Sequence, residues 1–209
     1  MRRAPELERT FDGRFNDPRF LLMYSPLRFG PEEQAKPDGS LSLPYVAGAF
    51  RRAHYAISIL DVPVGGPEDR LEDTFFNTTL PPSGLIRCGL APERIARATG
   101  DYDVIGLMSI FTTQTSRVLD LIRFVKRVDP TKFVIAGGVN ARNLRRCFFD
   151  AGADLIVLSE AETTIVEIAE AVRGRCDLTD VPGFAYRDET GSEIVNRPGP
   201  VTVNLGEDS

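Results

Sequence analysis

Four short segments carry polar groups that could bind a ligand, and each follows an apolar run typical of a buried strand. They are SPLRFG (25–30), SIFTTQ (109–114), GGVN (137–140) and SEAET (159–163). Together they supply three glycines, several hydroxyls, side-chain amides and two carboxylates. Such a set is suited to hydrogen-bonding a large ligand that bears amides or hydroxyls.

Two adjacent glycines, Gly137 and Gly138, stand where the run FVIA (133–136) ends and a helix-like stretch begins. Glycine adopts a positive φ easily and lets another group approach the backbone, at an entropic cost to folding. The pair therefore indicates either a tight strand-to-helix turn or a large ligand that lies against this backbone.

The chain offers little catalytic chemistry of its own. Its single histidine, His54, lies between a predicted helix and the next strand, at the opposite edge of the sheet from the four segments, so we expect it to cap helix carbonyls. Cys88, Cys147 and Cys176 are far apart and form no CxxC or CxxxCxxC pattern. We therefore predict no catalytic residue and no metal ligand in this chain, and no Ser-His or Cys-His nucleophile.

The composition excludes several classes of protein. An apolar content of 42% over 209 residues predicts a folded globular chain, and a net charge of −5 argues against a nucleic-acid partner. No apolar run approaches the roughly 18 residues of a membrane helix. The N-terminus lacks the apolar core of a signal peptide, and we expect reduced cysteines and a cytoplasmic location. Neither G-x-G-x-x-G after the first strand nor GxxxxGK[ST] is present.

Apolar runs that alternate with amphipathic stretches are expected to position these segments. Strands are predicted at 20–24, 56–62, 102–110, 132–138 and 154–158, and helices at 43–54, 92–100, 115–128, 140–152 and 162–174. Residues 63–91 are predicted to be an irregular insertion. We expect Pro92 at the first position of its helix, Gly100 and Gly152 just past helix ends, and a capping box of Ser159 and Glu162.

This alternation predicts an α/β fold with a doubly wound five-stranded parallel sheet of the flavodoxin-like or Rossmann-like kind. The segments 183–188 and 192–197 predict a C-terminal β-hairpin. Ligands of such sheets bind beyond the carboxyl ends of the strands, which is where the four polar segments fall.

Five motifs in the same order resemble the cobalamin-binding domain at the N-terminus of cobalamin-dependent radical S-adenosylmethionine enzymes. The motifs are SLPYVAGAFRRA, DVIGLMSIFTTQ, FVIAGGVNAR, DLIVLSEAETT and DVPGFAYRDETGSEIVNRPGP, and the resemblance extends from about Arg19 to the end. It implies cobalamin, in the methyl or hydroxo form, as the cofactor. It implies that Gly137, Gly138 and Ser109 lie along the nucleotide tail, and that the corrin ring lies over residues 25–30 and 112–114.

The resemblance implies cofactor contacts from all four polar segments. The implied residues are Ser25, Pro26, Leu27, Arg28, Ser109, Phe111, Thr112, Thr113, Gln114, Gly137, Gly138, Val139, Asn140, Ser159, Glu160 and Glu162. Two positions depart from related patterns. Corrinoid mutases and methionine synthases carry D-x-H-x-x-G after the first strand, and Leu27 occupies the position of that axial histidine. Ser159 replaces the glycine of a G-E-x-E-x-T pattern.

The resemblance also implies a division of the chain. We expect an N-terminal arm at 1–18, the cobalamin-binding domain at 19–175, and at 176–209 a hairpin and linker toward a radical domain that this chain lacks. That domain, in cis or on a partner protein, would supply any iron–sulfur cluster and S-adenosylmethionine site. The alternatives are a free-standing flavodoxin-like scaffold or signalling domain without cofactor, and an enzyme that binds a flavin or nucleotide sugar.

Overall fold

The computed structural model describes residues 17–34 and 41–199, so most of the predicted arm and residues 200–209 of the predicted linker lie outside the described residues. The strands are β1 (Phe20–Tyr24), β2 (Leu27–Phe29), β3 (Ile57–Asp61), β4 (Thr78–Thr79), β5 (Ile86–Cys88), β6 (Val104–Met108), β7 (Phe133–Gly137), β8 (Leu155–Val157), β9 (Phe184–Arg187) and β10 (Glu193–Val195). The helices are α1 (Ser42–Arg52), α2 (Pro92–Gly100), α3 (Thr115–Val128), α4 (Val139–Asn143), α5 (Arg145–Ala151) and α6 (Ala161–Val172).

The central sheet confirms the predicted fold class and is wider than predicted. Its order is β10-β9-β8-β7-β6-β1-β3, in which the five strands β1, β3, β6, β7 and β8 run parallel. The predicted hairpin forms, but β9 also pairs antiparallel with β8, so the sheet has seven strands. The buried strand β8 would otherwise present unpaired backbone groups at an edge, and the hairpin satisfies them.

Helices cover both faces of the sheet and create two cores. On one face α1 packs against α6, and Phe50 and Ile168 meet the strand residues Phe133 and Ile135. On the other face α2, α3 and α5 cover residues such as Val134. Because alternate residues of a strand point to opposite faces, strands buried on both sides read as continuous apolar runs.

The structure departs from the sequence predictions at the end of α2 and in the middle of the predicted helix 140–152. Gly152 ends α5 at φ 109° as predicted, whereas Gly100 is the last residue of α2, and Asp101 follows it at φ −84°. The chain needs no positive φ there, because the Tyr102 N–H donates to the carbonyl of Thr99. The predicted helix 140–152 is divided into α4 and α5 at Leu144.

The predicted capping box of α6 is wrong. Glu160 is the N-cap residue, and no side chain accepts a hydrogen bond there. Ser159 is held outside the helix because its N–H donates to the carbonyl of Gly183 at 3.3 Å, and its Oγ lies 2.6 Å from Oγ1 of Thr164. Long-range contacts with the hairpin segment thus override a local capping signal.

The predicted irregular insertion holds two short strands. β5 pairs with β4 and, on its other side, with β2, which gives a three-stranded antiparallel sheet. Leu27 is opposite Cys88 in this sheet, so the segment 25–30 is fixed rather than a free loop. The pairing partners are distant in sequence, and no local pattern reveals them.

His54 follows α1 at φ 61° and is exposed. Its backbone N–H, rather than its imidazole, donates to the carbonyl of Arg51 at 3.0 Å. Among the described residues, no helix is long and apolar enough to cross a membrane.

Candidate functional site

The sheet has its topological switch point between β1 and β6. β1 lies between β3 and β6. The connection after β1 leads to β3 on one side, whereas the connection after β6 leads to β7 on the other side. The two connections therefore diverge and open a cleft at the carboxyl ends of β1 and β6. A cavity of about 760 Å³ lies at this place. The predicted residues that line it are Ser25, Leu27, Arg28, Phe111, Thr112, Thr113 and Gln114.

The segment after β6 is organised by its own polar side chains. Ser109 is fully buried, and its Oγ lies 3.4 Å from Oγ1 of Thr115 and accepts a hydrogen bond at 3.4 Å from Nδ2 of Asn140. Oε1 of Gln114 accepts from the N–H groups of Ile110 and Phe111 at 3.3 Å each. These side chains fix the loop that forms one wall of the cavity.

The requirement for glycine at position 138 arises from contacts within the chain itself. Its φ is 90°, and a Cβ at this position would lie 2.5 Å from the carbonyl oxygen of Ser109. The Asn140 N–H donates to that same oxygen at 3.1 Å, which pins the turn. A tight turn therefore accounts for Gly138 without a ligand.

No contact within the described residues requires glycine at position 137. It needs no positive φ, and the atom nearest to a Cβ placed there would be Cβ of Val157 at 3.9 Å, an ordinary contact. Ile135, two residues earlier, belongs to the core beneath α1 and α6, so a side chain at 137 would point to that face. The structure thus leaves space where Gly137 lacks a side chain.

The last predicted segment is separate from the main cavity. Ser159 and Glu160 line a second cavity of about 490 Å³ together with Gly183 and Asn196 of the hairpin region. Glu162 lines a groove of about 310 Å³ between α1 and α6. These three residues therefore do not share a cavity with Ser25 or Leu27.

Sequence reasoning missed Asp61, which ends β3 and lines the main cavity. Burial raises the pKa of this carboxyl, although its Oδ1 accepts from the Val64 N–H at 3.4 Å. A signal was present, because Asp61 stands at the carboxyl end of the second parallel strand, beside the ends of the other strands. Met108, the last residue of β6, also lines the cavity and was likewise missed.

Metal-ligating side chains do not converge in residues 17–34 and 41–199. No three His, Cys, Asp or Glu residues of these ranges could hold a metal ion together. Cys88 is buried, its thiol donates to the Phe75 carbonyl at 2.8 Å, and burial raises its pKa.

The chain resembles known proteins along most of its length. The model of the B12-binding domain matches residues 39–169. A cytidylyl-2-hydroxyethylphosphonate methyltransferase from Streptomyces wedmorensis is 30% identical over 171 residues, which are 79% of this chain and 30% of that protein. The chain therefore spans under a third of this relative's length.

Two solved structures have the same fold. The cobalamin-dependent S-adenosylmethionine radical enzyme OxsB, with aqua-cobalamin and S-adenosylmethionine bound, matches at a TM-score of 0.62 and 20% identity over 91% of this chain and 23% of that one. The radical S-adenosylmethionine methyltransferase TsrM from Kitasatospora setae, with cobalamin and a [4Fe-4S] cluster bound, matches at a TM-score of 0.61 and 16% identity. This match covers 90% of this chain and 30% of that one.

The family match covers more than half of the chain, and the fold and the open cavity at the switch point agree with it. The resemblance inferred from the five sequence motifs is therefore confirmed. This chain belongs to the B12-binding domain family.

Proposed function

We propose that this chain is the cobalamin-holding module of a radical S-adenosylmethionine enzyme of the methyltransferase type. We further propose that it holds cobalamin base-off, with no protein side chain as the lower ligand of cobalt. The observation that carries the proposal is the space at Gly137 beside an open cavity of about 760 Å³ at the switch point. A turn explains Gly138, whereas no contact of Gly137 with the described residues requires glycine there, and we assign the space at Gly137 to the ligand.

The residues present fit the cofactor. The cavity is large, and its polar lining includes the neutral hydroxyls of Ser25, Thr112 and Thr113, which suit the amide groups around a corrin ring. The apolar side chain of Phe111 is 58% exposed at the rim of the cavity, where a bound corrin ring would cover it. When bound, cobalamin supplies the alkyl-transfer chemistry through its cobalt.

Gly137 and Ser109 are the residues we assign to the nucleotide tail. The Ser109 N–H donates to the Gly137 carbonyl at 2.9 Å, so the two lie side by side at the ends of β6 and β7. The open space at Gly137 points to the face covered by α1 and α6, where Glu162 lines a groove of about 310 Å³. A tail that enters here would pass between the sheet and these helices.

Leu27 is the residue we assign to the lower side of the corrin. It lies in β2, is half-buried and lines the main cavity. A leucine offers no donor atom to cobalt and excludes water by packing. Its pairing with Cys88 fixes the backbone at this position.

We propose that the remaining chemistry belongs to another domain. The relatives are much longer than this chain, and two of them are radical S-adenosylmethionine enzymes by name. A radical domain, in cis or on a partner protein, would cover the carboxyl edge of the sheet and supply the iron–sulfur cluster and S-adenosylmethionine.

Cobalamin binding tests this function against the alternative of a scaffold without cofactor. We expect the purified chain, mixed with hydroxocobalamin and passed through a desalting column, to retain about one cobalt per chain by elemental analysis, and to be pink. Retention of no cobalt, by a chain with the circular dichroism of a folded α/β protein, would contradict the proposal and favour the scaffold.

Electron paramagnetic resonance tests the lower ligand. An axial nitrogen splits each cobalt line of cob(II)alamin into three, and we expect no such splitting in the wild-type protein. Leu27→His is expected to introduce it, because imidazole is a strong nitrogen donor. Phe29→His, two residues along β2 in the same cavity, is the matched control and should not. Triplet splitting in the wild type would refute the assignment.

A further inference from the structure

Four parallel strands end side by side in one row of residues. Asp61 of β3 is in register with Tyr24 of β1. The next position across the sheet is Met108 of β6, which is in register with Gly137 of β7. Tyr24 and Met108 pack against the core beneath α1 and α6. Because residues in register on parallel strands point to the same face, Asp61 lies on the face that holds the open space at Gly137.

The row has a length that suits the proposed ligand. Three strand spacings, about 14 Å in total, separate Asp61 from Gly137. Asp61, Tyr24 and Met108 all line the main cavity. A cobalamin whose tail enters at Gly137, and whose ring lies over the ends of β1 and β6, therefore reaches Asp61 with the far edge of its ring.

The carboxyl of Asp61 lacks a charge partner. The side chain is half-buried, and its Oδ1 accepts a hydrogen bond from the Val64 N–H at 3.4 Å. In the described part of the chain, Oδ2 has no hydrogen-bond donor and neither oxygen pairs with a cation. Burial raises the pKa of this carboxyl, whereas the Val64 N–H lowers it. A partly buried carboxylate without a partner destabilises the fold, so it would gain from a ligand that brings donors or positive charge.

The other ionisable side chains in the described lining of this cavity do not supply that partner. Arg28 pairs with a carboxylate of α3 at 2.7 Å, and Glu33 accepts from a backbone N–H at 2.6 Å. Arg117 also has an interaction partner, and Tyr24 is a phenol. None of them forms an ion pair with Asp61, so its negative charge is left for the cavity.

We propose that Asp61, as a carboxylate, is the charge partner of the bound corrin, an inference that rests on the proposed function. Amide side chains at the ring edge offer N–H donors to Oδ2. The ring of cob(II)alamin carries a net positive charge around cobalt, and the one electron that gives cob(I)alamin removes it. A fixed negative charge in the cavity therefore tightens binding and favours cob(II)alamin over cob(I)alamin.

The affinity for cobalamin should depend on the protonation of Asp61. The pKa of its carboxyl in the free protein is raised above the ordinary value, and a ligand that brings donors and positive charge lowers this pKa in the complex. The affinity is therefore full above the pKa of the free protein, and it falls as the pH drops through this pKa toward that of the complex.

Asp61→Asn tests the assignment, because asparagine keeps an oxygen for the Val64 N–H and removes the charge. Titration with hydroxocobalamin at about pH 7 should show an affinity about tenfold weaker than that of the wild type. Reductive titration of bound cob(II)alamin, followed by absorption, should show the equilibrium shifted about tenfold toward cob(I)alamin, a rise of about 59 mV in midpoint potential. In acid the two affinities should converge, because Asp61 then loses its charge.

Urea denaturation without ligand separates binding from folding. We expect Asp61→Asn to be at least as stable as the wild type, because the unpaired charge is gone. Glu33→Gln is the matched control, since Glu33 is the other carboxylate in the described lining, is exposed, and leaves an oxygen for the Gly30 N–H when replaced by glutamine. Its affinity and its cob(II)/cob(I) equilibrium should stay within about twofold of the wild type.

The outcomes distinguish this inference from the proposed function. A wild-type chain that retains no cobalamin contradicts both. If the wild type binds cobalamin and Asp61→Asn has the same affinity and the same midpoint potential, only the role of Asp61 is overturned. A wild-type affinity that does not fall in acid overturns it as well, and this measurement needs no variant. A less stable Asp61→Asn protein with an unchanged potential would show that the residue serves the fold instead.

Discussion

Replacement of Gly138 with alanine is expected to lower the free energy of unfolding by about 3–5 kcal/mol, a large part of the roughly 5–15 kcal/mol that stabilises a domain. The added Cβ would lie 2.5 Å from the Ser109 carbonyl oxygen, and the residue must also adopt a φ of 90°. The neighbouring atom is backbone that is already hydrogen-bonded to Asn140, so it has little freedom to move away. Urea denaturation without ligand measures the loss.

Gly84→Ala is the matched control for this substitution. Gly84 also has a positive φ, 76°, but nothing lies within 4 Å of its added Cβ. The free energy of unfolding of Gly84→Ala should fall by only about 1 kcal/mol, which is the cost of the positive φ for alanine. If the two variants were equally stable, the close approach to Ser109 would not be what requires glycine at 138.

Replacement of Gly137 with valine is expected to weaken cobalamin binding about a hundredfold while the stability of the apo protein changes by about 1 kcal/mol or less. A Cβ at 137 meets only Val157, at 3.9 Å, and valine suits the strand β7. The space that it fills is the space we assign to the nucleotide tail. Equilibrium titration with hydroxocobalamin, beside urea denaturation without ligand, gives the two quantities.

A graded series and a distant glycine provide the controls for Gly137. Gly137→Ala should weaken binding less than valine does, by about tenfold, because it fills less of the same space. Gly100→Ala, at the end of α2 where nothing lies within 4 Å of an added Cβ, should leave both binding and stability close to the wild type. An unchanged cobalamin affinity in a stable Gly137→Val protein would reject the assignment of the tail.

The parts of the fold that local patterns determine could be predicted from the sequence. α3 spans the predicted residues because Val118, Leu121, Ile122 and Val125 recur at helical spacing, and all four are buried. β1 was equally clear as a short apolar run between polar segments. In both cases the signal and the structure lie within one element.

Contacts between distant residues were not predictable in this way. The pairing of Leu27 with Cys88 and the contact of Ser159 with Gly183 join segments whose local sequences carry no sign of each other. The glycine pair shows the same limit at the site. Two identical neighbours differ because the carbonyl of Ser109, the residue after β6, approaches Gly138 and not Gly137. Only the assembled sheet reveals this difference.

The antiparallel hairpin has a consequence for protein engineering. β9 covers β8, whose three residues are all buried, and β10 then forms the outer edge with exposed Glu193 and Val195. Short edge strands that carry charge resist pairing with other molecules, whereas an uncovered apolar strand invites it. A fragment trimmed at residue 175 would exchange the first kind of edge for the second and become prone to aggregation. Grafts and fusions of this domain should therefore retain the chain through β10.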